Sequence, residues 1–146
     1  MNLCPKAMHP VALMVIAIGI SVATLPRAAD EEIDTIPATN AALGWLAMVD
    51  AGRYGQSWET AAQYFRDNVT RPQWEVMLAQ TRGKAGNLMA RKVTSVHYAR
   101  DLPNAPPGEY VEIQYITRFE NGLFTETVTP MKEKDGSWKV SGYYIK

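Results

Sequence analysis

The chain opens on an uncharged apolar run, Val11 to Leu25 (VALMVIAIGISVATL), and then loses all periodicity until Thr39. Beyond that point apolar residues recur at helical spacing. Ala42, Trp45, Leu46 and Val49 follow i, i+3, i+4, i+7 and define a first helix that stops at Gly52, a residue suited to a left-handed cap. Trp58, Ala61, Ala62 and Phe65 form a second stripe, with Glu59, Gln63 and Arg66 opposite, and predict a helix over about Tyr54 to Asp67. Thr70 ahead of Arg71-Pro72 reads as an N-cap, and Trp74, Met77 and Leu78 carry a third helix to Arg82-Gly83. After Gly86 the period drops to two, and four strands are expected: Leu88 to Tyr98, Glu109 to Phe119, Phe124 to Lys132 and Ser137 to Ile145. A rigid loop, Asp101 to Gly108, joins the first pair; Asn121-Gly122 and Asp135-Gly136 close the other two as hairpins. Three helices followed by four antiparallel strands make an α+β fold.

The turns set the phase of the strands. A two-residue turn at Asn121-Gly122 pairs Glu120 with Leu123. Phe119 then faces Phe124, Thr117 faces Glu126, Tyr115 faces Val128 and Ile113 faces Pro130, all on the apolar side together with Val111. For the last hairpin, a type I turn with Gly136 as a left-handed bulge pairs Glu133 with Ser137 and turns Trp138, Val140 and Tyr144 to the same side. That phase leaves Ile116, Tyr143 and Ile145 on the outer face.

Composition adds a compartment. The 146 residues carry 15 basic and 15 acidic side chains, without clustering, which removes the electrostatic footprint of a nucleic-acid binder. The run from Val11 to Leu25 is shorter than the roughly 20 residues a membrane-spanning helix needs, and Pro26, Arg27 and Asp30 follow at once. It reads as the core of a cleaved export signal, residues 1–23, cut after Ala23 with Ala29 as a later alternative. Residues 24–38 are expected to form an acidic tether and residues 39–146 a single domain, periplasmic or secreted, with no membrane contact after cleavage. Cys4 and His9 leave with the signal, so neither a disulfide nor a thiolate site is available, and the single remaining His97 makes no metal site. No cofactor is expected.

One residue breaks the apolar side of the sheet. Glu126 points toward the core between Thr117 and Tyr144, where an ionised carboxylate is costly unless paired. Two readings stay open. It holds a buried arginine, Arg82 or Arg91, or accepts bonds from backbone and tyrosine hydroxyls. Alternatively it lines a pocket with Tyr144, Thr117, Tyr115 and Trp58, and serves there as a general base or as an anchor for a ligand's donor group. His97 is a half-exposed strand residue, and the four tryptophans read as core. Arg82-Gly83-Lys84-Ala85-Gly86 lacks phosphate-loop spacing, and the serines lack a nucleophile elbow. No catalytic constellation emerges.

The segments Trp45-Leu46-Ala47-Met48-Val49-Asp50-Ala51-Gly52-Arg53-Tyr54-Gly55-Gln56-Ser57-Trp58, then Trp74 and Arg82, then Leu102-Pro103 with Pro107-Gly108-Glu109-Tyr110, and finally Asp135 to Tyr144 (DGSWKVSGYY), together resemble the family known as domain of unknown function 4019. The resemblance covers about Asn40 to Lys146. It departs from the family pattern at Arg82-Gly83-Lys84-Ala85-Gly86 and at Pro103-Asn104. It implies an exported bacterial protein in which three helices wrap a curved four-stranded sheet, a cone similar to the nuclear-transport-factor-2-like group, and it carries no assigned chemistry.

Three functions are compatible with these features. The leading one is a non-catalytic module whose cone binds a small apolar ligand or a protein partner. The second is an enzyme of the ketosteroid-isomerase or dehydratase kind using Glu126. The third is an envelope-associated homodimer joined through the outer sheet face.

Overall fold

The computed structural model describes residues 33–146. The expected export signal and most of the expected tether, residues 1–32, lie outside the described residues. Helix α1 (Ile36–Asp50) buries Ala38, Ala42, Trp45, Leu46 and Val49, the expected stripe extended by one turn. It begins inside the segment assigned to the tether. Pro37 sits in the first turn, where its missing N–H is not needed, and Asp34 Oδ1 accepts the Ile36 N–H at 3.0 Å. Gly52 follows at φ 73° and closes the helix as expected.

The second predicted helix is two. Helix α2 (Tyr54–Glu59) ends at Thr60, and α3 (Gln63–Asn68) restarts after Ala62. Ala62 is extended (φ −58°, ψ 149°), and its N–H donates to Val140 O at 2.8 Å rather than to the preceding turn. A tertiary bond to the sheet has broken a stripe that is continuous in sequence. Ala61 and Ala62 are fully buried there, small enough for the backbone to approach the strand. Helix α4 (Arg71–Ala85) buries Trp74, Leu78, Arg82 and Ala85. It runs through Gly83 and stops at Gly86, whose φ of 82° ends it.

Strands β1 (Leu88–Ala99), β2 (Tyr110–Phe119), β3 (Gly122–Lys132) and β4 (Trp138–Ile145) form one open antiparallel sheet in the order β1-β2-β3-β4. The helices pack on one face, and the fold is α+β with four helices rather than three.

Both hairpins depart from the expected register, with opposite consequences. Phe119 pairs with Gly122, so the turn is Glu120-Asn121, and neither Asn121 nor Gly122 has the positive φ that the expected turn requires. Asn121 is instead tied to the end of α4, through its N–H to Ala85 O (3.0 Å) and its Nδ2 to Lys84 O (3.0 Å). Each strand slips by one residue, so Thr117 faces Phe124 and Tyr115 faces Glu126. An offset of one on both strands leaves every side chain on its predicted face. In the last hairpin the turn is the expected one: Glu133 N–H donates to Ser137 O at 2.7 Å, and Gly136 has φ 84°. The change comes later, between the pairs Pro130–Val140 and Thr129–Gly142, where Ser141 is inserted as a bulge. Pro130 has no N–H for the ladder, and Ser141 Oγ donates to Thr129 O at 2.8 Å. One extra residue on one strand reverses the faces beyond it. Tyr143 and Ile145 turn inward, and Tyr144, expected inside, is 65% exposed.

Candidate functional site

Glu126 lies on the helix-covered face of β3 with no solvent exposure. Burial of a carboxylate demands partners, and four other elements of the fold supply them. Arg91 on β1 donates from Nε to Glu126 Oε2 (2.7 Å) and from Nη2 to Oε1 (3.2 Å), while Arg82 on α4 donates from Nη1 to Oε1 (3.2 Å). Tyr143 on β4 donates its hydroxyl to Oε1 at 2.6 Å, and Thr117 on β2 donates its own to Oε2. Asp50, the last residue of α1, closes the group. It accepts Arg91 Nη1 on Oδ2 (2.7 Å), and Arg91 Nη2 (2.9 Å) and Arg82 Nη2 on Oδ1. Two carboxylates face two guanidiniums, so the buried charge balances.

This arrangement fixes what Glu126 can do. A carboxylate offers about four lone-pair sites, and five donors converge on its two oxygens. Nothing is left over to take a proton from a substrate. Burial opposes the charge of Arg91, but hydrogen bonds and attraction from Asp50 and Glu126 outweigh it and hold the guanidinium above its ordinary value. Burial first, and then the negative charge of Glu126, push the Tyr143 phenol well above its ordinary range. Asp50 is the most exposed of the four charged members and borders a surface groove of about 570 Å³, which Gly52, Tyr54, Gly83 and Glu120 also line.

Aromatic rings fill the space beneath the helices. Trp45 stands 5.4 Å from Tyr143 and 5.8 Å from Trp74, and Trp74 meets Phe65 edge-on at 5.0 Å. Both indole N–H groups are satisfied by Ser57, Trp45 on its carbonyl (2.8 Å) and Trp74 on its hydroxyl (3.0 Å). The Arg82 guanidinium carbon lies 4.3 Å from the centre of the Phe119 ring.

Of the five expected pocket residues, the structure brings three together. Glu126 and Thr117 are hydrogen-bonded, and Tyr115 is the cross-strand neighbour of Glu126. Trp58 packs against the core from α2, its Nε1 donating to Val69 O at 2.6 Å. Tyr144 is on the opposite face because of the Ser141 bulge, and Tyr143 takes the role expected of it. Both arginines named as partners of Glu126 are partners. Asp50 was missed, since a carboxylate at a helix end looks like an ordinary solvated residue. His97 is exposed on the outer face beside Glu112, away from the cluster. Among the described residues no group of three His, Cys, Asp or Glu could hold a metal, and no helix is long and apolar enough to cross a membrane.

Tyr115 is 1% exposed, and its hydroxyl has no hydrogen-bond partner among the described residues. Tyr115→Phe should therefore leave the urea midpoint unchanged or raise it, with a gain in unfolding free energy of up to about 1 kcal/mol, because an unsatisfied buried hydroxyl is removed and no bond is lost. A fall in the midpoint would mean that the hydroxyl is bonded.

The helices leave one part of the inner face open. Val93 and Val96 on β1 are 41% and 42% exposed, although their partners on β2, Tyr115 and Ile113, are buried. Leu43 and Ile36, also exposed, precede Asp50 by seven and fourteen residues. They therefore share the flank of α1 that faces β1 through the Asp50–Arg91 pair.

Residues 41–143 match the model of a family described as protein of unknown function (DUF4019). No curated protein matches the chain.

Proposed function

We propose that this chain, which belongs to the DUF4019 family, is an exported, non-catalytic binding module whose working surface is the open β1 half of the inner sheet face. The observation that carries the proposal is the division of labour between the two halves of that face. One half holds a carboxylate whose acceptor sites are all occupied, and the other exposes Val93 and Val96 opposite the Leu43 and Ile36 flank of α1. Four helices over one face of a bulged antiparallel sheet support reading the fold as a nuclear-transport-factor-2-like cone, with its centre filled by Trp45, Trp74 and Tyr143 and its mouth along β1. The apolar run at residues 11–25, with the small residues Ser21 and Ala23 near its end, supports export to the periplasm or beyond.

The reading is tested with an apolar fluorescent probe such as anilinonaphthalene sulfonate. The wild type should enhance its emission, and Leu43→Asp with Val93→Asp should remove most of the enhancement without lowering the unfolding midpoint. An enhancement that survives both substitutions removes this surface from consideration. The enzyme alternative requires Glu126 to be released from its two arginines. Isomerisation of a β,γ-unsaturated ketone by the wild type, abolished in Glu126→Gln, would favour it over a binding module.

A further inference from the structure

We infer that β1 pairs edge to edge with β1 of a second copy of this chain, antiparallel and centred on His97, to give a two-fold dimer with a continuous eight-stranded sheet. The inference rests on the reading of the β1 flank as the interaction surface and names its partner.

The two edges of the sheet are unequal. Along β4, Val140 O already accepts the Ala62 N–H, so the backbone before α3 covers that edge. Along β1, alternate residues turn their N–H and C=O groups away from β2, and the described residues bring no strand or loop against them. Bulges between Leu88 and Ala90 and between Val93 and Ser95 interrupt the strand. Two unbroken stretches remain, Ala90–Val93 and the longer Ser95–Ala99. Bulges of this kind prevent indiscriminate pairing along a long edge and restrict it to short registers.

The longer stretch is complementary to itself. With the axis at His97, Val96 lies opposite the second copy's Tyr98, twice, on the inner face. A β-branched residue beside an aromatic one is a favourable cross-strand pair, and it covers the exposed Val96. Ser95 lies opposite Ala99 on the outer face, two small side chains that do not collide. An axis at Lys92 would instead oppose two lysines. Each contact occurs twice because the interface is isologous.

Sedimentation velocity of the purified chain over a concentration series tests this. The wild type should pass from monomer to dimer. Val96→Asp, and His97→Lys, which sets two cations across the axis, should each raise the dimer dissociation constant by at least about tenfold while keeping the wild-type unfolding midpoint at dilutions where both proteins are monomeric. His97→Thr should retain the dimer, and so should Ile116→Asp on the outer face. Amide exchange at Ser95–Ala99 should slow as the dimer fills. A dimer lost in Ile116→Asp but kept in Val96→Asp overturns the inference. If the wild type stays monomeric yet the probe still binds at Leu43 and Val93, the dimer is overturned and the binding surface stands; if neither is seen, both fall.

Discussion

Replacing Glu126 by glutamine should destabilise the protein by about 3–5 kcal/mol, a large share of the total stability of a domain this size. The substitution keeps the shape of the side chain and removes only its charge. Arg82 and Arg91, 7% and 11% exposed, would then share Asp50 alone, with one positive charge uncompensated and shielded from water. The amide would also turn an N–H toward donors where an oxygen now accepts. Urea unfolding followed by tryptophan fluorescence measures the loss directly, because Trp45 and Trp74 stand in the same core. A loss below about 1 kcal/mol would place Glu126 among weakly coupled surface acids.

Alkaline pH should be the second strong stress. The folded state holds the Tyr143 phenol protonated well above its ordinary value of 10.0, while the unfolded chain releases that proton at the ordinary value. The stabilisation is therefore complete below pH 10.0 and is lost as pH rises above it, by about 1.4 kcal/mol per pH unit from this group alone. Burial shifts Tyr115 and Tyr110 in the same direction and steepens the decline. Tyr143→Phe should start lower at neutral pH, by about 1–3 kcal/mol for the lost bond to the Glu126 carboxylate, and then fall less steeply. Unfolding midpoints measured against pH for the two proteins give the comparison. Parallel curves would show that Tyr143 does not control the alkaline limb.

The sequence carried the class of the fold and the identity of the odd residue, and the reasons are physical. Apolar stripes at Trp45, Leu46 and Val49 and at Trp74 and Leu78 report a helix face directly, because burial selects them one by one. Glu126 was legible for the same reason, since one charged residue in an alternating apolar strand has to be explained. Its inward direction survived a wrong turn at Asn121-Gly122 because both strands slipped together.

What stayed hidden depended on contacts between segments distant in sequence. Ala62 interrupts a continuous helical stripe because a carbonyl of β4, nearly eighty residues later, takes its N–H. The Ser141 bulge answers a proline on the neighbouring strand, and it exchanged Tyr144 for Tyr143. Asp50 joins the cluster through Arg91, a strand residue that no local pattern connects to the end of α1. A carboxylate between two candidate arginines could have suggested a second carboxylate, because two buried guanidiniums need two counter-charges.

The central claim is that Glu126 is held by arginines as part of the scaffold and is not available as a base. A double-mutant cycle on unfolding free energy between Glu126→Gln and Arg91→Met tests it most directly. Each substitution alone leaves a buried charge unpaired, whereas the pair removes one charge of each sign and leaves Asp50 with Arg82. The double variant should therefore be more stable than the sum of the single losses predicts, with a coupling of at least about 1.5 kcal/mol. Additivity within about 0.5 kcal/mol would contradict the claim and leave the Glu126 carboxylate free for other chemistry.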